Sequence, residues 1–353
     1  MMSKPRGLYI HIPFCLSKCP YCDFYSIAFS QQTAREYSRA VERNLRHYGG
    51  EYDTVYFGGG TPVLLADKMA EMLRAADIAP NAEITAECNP CVTDEKALCA
   101  MRAAGVNRIS FGVQSLDDAE LSALGRRHSA RQAREAILRA KECGFDDISA
   151  DIMLAVQGQN AASLTRTIEG LAELPLTHIS AYLLKIEPAT PFGQNPPPLP
   201  DEDETAELYA LAVRLLAENG FAQYEISNFA KSGRECRHNL KYWRCEEYLG
   251  IGTAAHSFVD GVRFAVARDI SAFIESEVQP VQVTDGAAGS AEERLMLGLR
   301  LSEGVPERLY EPYKSRLRLI PKKYYSEIGG RLSLTSEGFA VSNEIIAVLL
   351  SGL

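Results

Sequence analysis

One recurrence limits what this chain can fold into. Six times before residue 220, a short apolar or β-branched run is followed by a stretch of helical periodicity. The runs fall at 7–12, 53–57, 82–88, 108–113, 147–154 and 178–186. The helical stretches fall at 33–48, 64–77, 93–105, 130–144, 161–174 and 202–220, with Thr33 and Thr93 as candidate N-caps. Strands that alternate with helices in this way lie parallel and are joined by right-handed crossovers. Six units allow either a doubly wound sheet or an incomplete (β/α)6 barrel, and the pattern alone does not separate them. In both, loops at the C-terminal ends of the strands collect functional groups. The unusual residues fall there: Cys15, Gly59, Glu87, Gln114 and Asp151.

The rest of the chain is organised differently. Residues 195–200, Asn-Pro-Pro-Pro-Leu-Pro, form a stiff connector. A seventh strand is expected at 224–229. Residues 284–290 are small and Gly-rich, as in a linker. Beyond them come charged helical sequence, a hairpin-like stretch at 330–335 and a final helix at 335–350. The expected division is a partial barrel over 1–230, a connecting segment over 231–290, and a small, mostly helical, winged-helix-like domain over 291–353.

Composition excludes several classes. A net charge of -9 gives no basic footprint for nucleic acid. No apolar run is long enough to span a membrane, and no secretory h-region precedes residue 7. Nine cysteines without such a signal argue against a disulfide framework and for a reducing compartment, the cytoplasm.

Three of those cysteines, Cys15, Cys19 and Cys22, share a C-x-x-x-C-x-x-C spacing in a Pro-containing loop. Thiolates this close make a soft site suited to iron–sulfur or zinc. Zinc would need a distant fourth ligand such as Cys88, Cys91, Cys236 or Cys245. A four-iron cubane would keep one iron open for a further ligand. The Gly58-Gly59-Gly60-Thr61-Pro62 turn follows a strand but lacks G-x-G-x-x-G, so it is not a dinucleotide fingerprint. Glu87, Gln114, Arg126 and Asp151 would each be ordinary alone, but at or near successive strand ends they favour a binding site. Residues 236–243, Cys-Arg-His-Asn-Leu-Lys-Tyr-Trp, carry the only Trp and read as a half-buried aromatic loop or as a ligand site.

YIHIPFC with C-x-x-x-C-x-Y-C resembles the radical-SAM superfamily. HIPFC and the later HNxxYW narrow the resemblance to the group holding oxygen-independent coproporphyrinogen oxidases and heme chaperones, from Gly7 through nearly the whole chain. This resemblance implies that Cys15, Cys19 and Cys22 hold a [4Fe–4S] cluster whose open iron is chelated by S-adenosylmethionine. The reduced cluster then breaks a C–S bond of that cofactor to give a 5′-deoxyadenosyl radical. Gly59, Gly60 and Thr61 match the loop that meets the SAM amino group. Glu87, Gln114, Arg126 and Asp151 match SAM-contacting positions, and His256 matches a SAM-adjacent one. Tyr9 and Tyr21 flank the cluster. For heme, His238 is the first candidate axial ligand and Cys236 the second, with Tyr242 and Trp243 facing the porphyrin. The remaining cysteines, Cys88, Cys91, Cys99, Cys143 and Cys245, are expected to be structural.

Three functions within the group compete: heme binding and delivery, oxidative decarboxylation of coproporphyrinogen III, and a methyltransferase that opens heme. The oxidase has a long arm before the first strand, where this chain has six residues. It also has a further cysteine where this chain has Phe24. The intact HNLKYW argues against the heme-opening branch. The expectation is a heme chaperone that uses an electron donor for its cluster and passes heme to an acceptor such as a membrane respiratory protein.

Overall fold

In the computed structural model, which describes residues 5–351, all six expected strands are present. They are β1 (Arg6–Ile12), β2 (Glu51–Gly59), β3 (Asp77–Cys88), β4 (Arg108–Gln114), β5 (Asp147–Leu154) and β6 (His178–Leu183). Each pairs in parallel with the next, in chain order. A doubly wound sheet reverses its order at a switch point. An unreversed order, with every crossover on one face, curls the sheet into a barrel. The architecture is therefore an incomplete (β/α)6 barrel, and the ambiguity left by the sequence is resolved by strand order.

The barrel stays open because neither edge strand pairs with the other. On one side, β6 meets the short antiparallel β7 (Asn228–Ala230), which pairs in turn with the two-residue edge strand Ala222–Gln223. On the other, β1 pairs in parallel with β8 (Tyr248–Ile251). The sheet then continues through the antiparallel strands β9 (His256–Val259), β10 (Val262–Val266) and β11 (Val281–Asp285), to twelve strands in all.

Register explains where the core sits. Tyr9 pairs with Tyr56, Tyr56 with Thr85, Thr85 with Arg108, and Ser149 with His178. Paired residues share a face, so the inner face of the barrel is polar. Leu8, Val55, Ala86, Ile109, Ile148 and Ile179 lie on the opposite face, fully buried, in the apolar core beneath the helices. Those helices are α1 (Gln31–Tyr48), α2 (Met69–Arg74), α3 (Glu95–Ala104), α4 (Ala130–Glu142), α5 (Ala161–Ala172) and α6 (Glu202–Glu218). Asp94, Ser129, Asn160 and Asp201 cap the N-termini of α3, α4, α5 and α6 through their side chains.

Several elements depart from expectation. The first helix starts behind Ser30, not Thr33. The helix expected at 64–77 is a kinked 3₁₀ stretch, Pro62–Lys68, followed by the short α2, and Asp77 already belongs to β3. The run at 224–229, expected as a seventh strand, reaches strand geometry only at its end, in antiparallel β7. Its Glu225 carboxylate accepts from the Ser227 amide and the Asn228 side chain, which turns the chain into antiparallel β7. Residues 237–243 are helical: α7 (Arg237–Trp243). The stretch read as a linker begins inside β11.

Beyond α8 (Ala291–Gly298) a second core forms around Leu295, Leu299, Val305, Leu332, Phe339 and Leu349. It includes a small sheet of β12 (Val305–Pro306), β13 (Tyr325–Ile328) and β14 (Arg331–Leu334). Gly329 and Gly330, both at positive φ, make the expected hairpin turn. The final helix is broken at Val341 into α9 (Ser336–Ala340) and α10 (Ser342–Leu350). Among the described residues no helix is long and apolar enough to cross a membrane.

Candidate functional site

The cysteine loop leaves β1 and returns beside itself. Phe14–Cys15 pairs with Ile27–Ala28, and the Ile27 and Phe29 amides donate to the Pro13 and Cys15 carbonyls at 2.7 and 3.1 Å. Cys15, Cys19 and Cys22 line a cavity of about 380 Å³ at the C-terminal end of the barrel. Gly59, Gly60, Thr61 and Glu87 line the same cavity, as do Gln114, Arg126, Asp151 and Tyr21. Residues from five strand ends are thus brought to one place.

Each cavity residue has a local reason for its position. A Cβ on Gly60 would lie 2.7 Å from the Phe14 carbonyl oxygen, and one on Gly59, at φ +110°, would lie 2.5 Å from the His11 ring. Only glycine lets this turn approach the cysteine loop so closely. Gln114 takes a left-handed φ of 70°, next to a register shift between β4 and β5. Such backbone strain in a non-glycine residue concentrates at functional sites.

The polar contacts suit thiolates and a bound zwitterion. Thr61 Oγ1 donates to Cys15 Sγ at 3.7 Å, and Arg126 Nη1 donates to Cys19 Sγ at 3.4 Å. Both groups are donors that a sulfur ligand can accept from. Arg126 Nη2 donates to the Gly112 carbonyl at 2.8 Å, while its Nε is buried with no partner. Tyr56 Oη and the Gly59 amide donate to the Glu87 carboxylate at 3.0 and 3.2 Å. Burial, then the charge of Asp151, pushes the Glu87 carboxyl up to about 7. Burial also raises Asp151, which accepts from Ser110 Oγ at 3.2 Å. Two buried carboxylates facing a cavity can accept from an ammonium or ribose hydroxyls.

These residues fit an iron–sulfur cluster with SAM. The orphaned Arg126 nitrogen, the glycine cradle and the three thiols all face one space. Among the described residues no three His, Cys, Asp or Glu side chains are arranged to hold a single metal ion. Of the distant cysteines considered for zinc, Cys88 reaches this cavity; burial pushes its thiol up to about 12.

Other expected residues lie elsewhere. Tyr9 stands behind Tyr56, ring centroids 6.3 Å apart, with its hydroxyl 3.1 Å from His11 Nδ1. It is not on the cavity wall. His256 is exposed at the start of β9, away from the cavity lining. Cys99 and Cys143 face each other, their sulfurs 3.6 Å apart, on the outer helices.

The HNLKYW segment is a floor. The Glu83 carboxylate accepts from the Arg237 and His238 amides at 2.9 and 3.0 Å, holding the N-terminus of α7 against the middle of β3. Lys241 pairs with Asp53 at 2.9 Å. His238 is fully buried, its Nδ1 2.9 Å from Thr54 Oγ1 and its Nε2 2.7 Å from the Tyr242 hydroxyl. Burial first, then the charges of Lys241 and Arg108, lowers its pKa to about 3 and keeps the ring neutral. Cys236 is also fully buried, its thiol 3.6 Å from Glu83 Oε1. As placed, neither presents a donor atom to a cavity, because both ends of the imidazole and the thiol are used in holding the floor. Tyr242 and Trp243 do reach a second, larger cleft of about 1080 Å³. Asn239 and Tyr182 line both spaces.

Sequence reasoning missed Arg108, Ser110, Tyr182 and Asn239 on the cavity wall. The signal for Arg108, Ser110 and Tyr182 was present: polar residues at every second position of otherwise apolar strands, the mark of a barrel with a polar interior.

A model of the Radical SAM superfamily matches residues 9–171. The heme chaperone HemW of Escherichia coli is 34% identical, covering 98% of this chain and 98% of that protein. The heme chaperone HemW of Lactococcus lactis is 31% identical, covering 99% and 98%. The chain belongs to the HemW family of the radical-SAM superfamily. A solved structure of coproporphyrinogen III oxidase, HemN, from Escherichia coli superposes with a TM-score of 0.83 at 19% identity, covering 100% of this chain and 92% of that one. That likeness shows that the fold, C-terminal elements included, is shared with that structure.

Proposed function

We propose that the protein is a heme chaperone: it binds heme, carries a [4Fe–4S] cluster with S-adenosylmethionine, and delivers heme to an acceptor protein. The observation that carries this reading is the near-complete alignment with proteins named heme chaperone HemW, at 31–34% identity over 98–99% of the chain.

Cys15, Cys19 and Cys22 would hold the cluster. Arg126 and Thr61 would stabilise its thiolates, Gly59 and Gly60 would admit the SAM backbone, and Glu87, Gln114 and Asp151 would orient the cofactor. Tyr21 closes one wall, and Tyr9 and His256 would act on the cofactor only from outside that wall. When bound, the cluster supplies an electron for reductive cleavage of the sulfonium, so an electron donor is part of the reading. The acceptor would be a hemoprotein, such as a membrane respiratory protein. Nine unpaired thiols support a reducing compartment, the cytoplasm.

The competing reading is oxidative decarboxylation of coproporphyrinogen III, favoured by the whole-chain likeness to HemN. Anaerobic reconstitution followed by heme titration and by a coproporphyrinogen turnover assay separates the two. Heme binding without protoporphyrinogen formation is expected; turnover to protoporphyrinogen would overturn the chaperone reading.

A further inference from the structure

The cleft that takes Tyr242 and Trp243 lies between the open edge of the barrel, the N-terminal end of α6 and the C-terminal elements. Its volume of about 1080 Å³ is at the upper end for small-molecule sites. We infer that this cleft is where a tetrapyrrole seats, gripped by its flat faces and by its carboxylates rather than by an iron ligand from His238 or Cys236. The inference rests on the heme-chaperone reading above and adds the site and the mode of binding.

The lining has the required chemistry. Trp243, Tyr242 and Phe339 offer aromatic surface, and Leu183, Leu184 and Leu297 offer aliphatic surface. Aromatic faces pack well on a planar macrocycle. Arg300, from the segment after α8, lies over the Trp243 ring at 5.8 Å. One of its terminal nitrogens donates to Asn343 at 3.0 Å, while its Nε is buried with no partner. A guanidinium with an unmet donor on the wall of an apolar cleft is suited to a carboxylate. Three acidic residues share the wall with it, Asp201, Glu202 and Glu225; Glu202 is exposed to solvent, and Glu225 senses the Arg300 charge while its oxygens accept from the Ser227 amide and the Asn228 side chain. Glu225 is pushed up to about 7 by burial, and Asp201 is engaged in capping α6, accepting from the Glu204 amide at 2.8 Å.

The lining contains no His, Cys or Met. Three tyrosines reach it, but their hydroxyls are engaged. Tyr242 bonds His238, Tyr209 donates to the Ile226 carbonyl at 2.8 Å, and the Tyr182 hydroxyl bonds Ser180 and Asn228. Burial raises the pKa of all three, so none is a ready phenolate. Affinity must then come from the macrocycle and its carboxylates. Tyr182 and Asn239, shared with the smaller cavity, would put the edge of the bound ring next to the SAM site.

The test is a titration of hemin, iron-free protoporphyrin IX and its dimethyl ester into the full chain and into three variants. Wild type should bind hemin and iron-free protoporphyrin with dissociation constants within about threefold, and the diester about tenfold more weakly. Ala340→Trp and Ala206→Trp place a large ring on exposed positions of the cleft; each should weaken both porphyrins about tenfold, with the circular dichroism spectrum unchanged. Arg300→Leu should weaken the diacids but not the diester. Iron-free protoporphyrin binding about tenfold weaker than hemin would overturn the binding mode. Wild-type binding unaffected by all three variants would overturn the site. Failure of wild type to bind either porphyrin would instead sink the heme-chaperone reading itself.

Discussion

Near neutral pH Glu87 sits at the midpoint of its titration. Burial and the neighbouring Asp151 hold its carboxyl at about 7, against 4.5 for an ordinary glutamate. A raised carboxyl favours folding in its protonated form. Its contribution is therefore complete below about pH 4.5 and is lost as pH rises through about 7. Glu87→Gln keeps a neutral acceptor for Tyr56 and removes the titration. In the cofactor-free protein it should leave the melting temperature unchanged at pH 4 and raise stability at pH 8, by on the order of 2 kcal/mol. An equal shift at both pH values in a thermal melt would rule this out. At this scale the sequence was informative where a residue's chemistry is unusual in its place: thiols in a Pro-containing loop, glycines after a strand, carboxylates at strand ends. It was misleading for His238. An imidazole beside two aromatics reads as a ligand, yet Thr54 and Tyr242 occupy both its nitrogens. Those partners are 184 and 4 residues away, and the distant one leaves no trace in the local pattern.

The element that defines the lower end of the barrel is α7. Seven residues make a marginal helix by themselves. Its Cys236 N-cap makes no side-chain hydrogen bond to the helix. What orders it is Glu83, which accepts from two amides of its first turn, and Lys241, which pairs with Asp53. Glu83→Gln should cost about 1–2 kcal/mol in urea unfolding, from the lost charge at the helix N-terminus. Amide hydrogen exchange should speed up in 237–243 while β3, β4 and β5 stay protected. Uniform acceleration across the sheet would contradict a local role. The motif was legible in the sequence, but its helical state was not, because the stabilising carboxylate lies 154 and 155 residues away from the amides it holds. The helix expected at 64–77 erred in the opposite sense. Apolar periodicity extended through a stretch that a kink at Leu65 turns into 3₁₀ geometry, which periodicity cannot distinguish.

Over the whole molecule, the stabilising core and the chemistry lie on opposite faces of one sheet. The apolar core is outside the barrel, under the helices; the polar cavity is inside. A variant with Cys15, Cys19 and Cys22 all changed to Ala should therefore lose the cluster's absorption and paramagnetic signature. It should keep its far-ultraviolet circular dichroism and melt within about 2 °C of cofactor-free wild type, a shift on the order of 1 kcal/mol. Cooperative unfolding of that variant at room temperature would show that the loop, rather than the core, carries the fold. The sequence by itself determined the βα alternation, the parallel pairing that follows from it, the three-cysteine motif and most of the residues named here on the wall of the cavity beside it. These are local signals: side-chain period, chain punctuation and thiol spacing each act within a few residues. Only the tertiary structure decided that the strands run in unbroken order and so form an open barrel. It also decided that the HNLKYW segment is a buried floor and not an open ligand loop, and that a large cleft opens between the barrel edge and the C-terminal elements. Strand order, the Glu83–α7 contact and the cleft walls all depend on groups brought together from distant parts of the chain. Local periodicity carries no record of which distant element a face will meet.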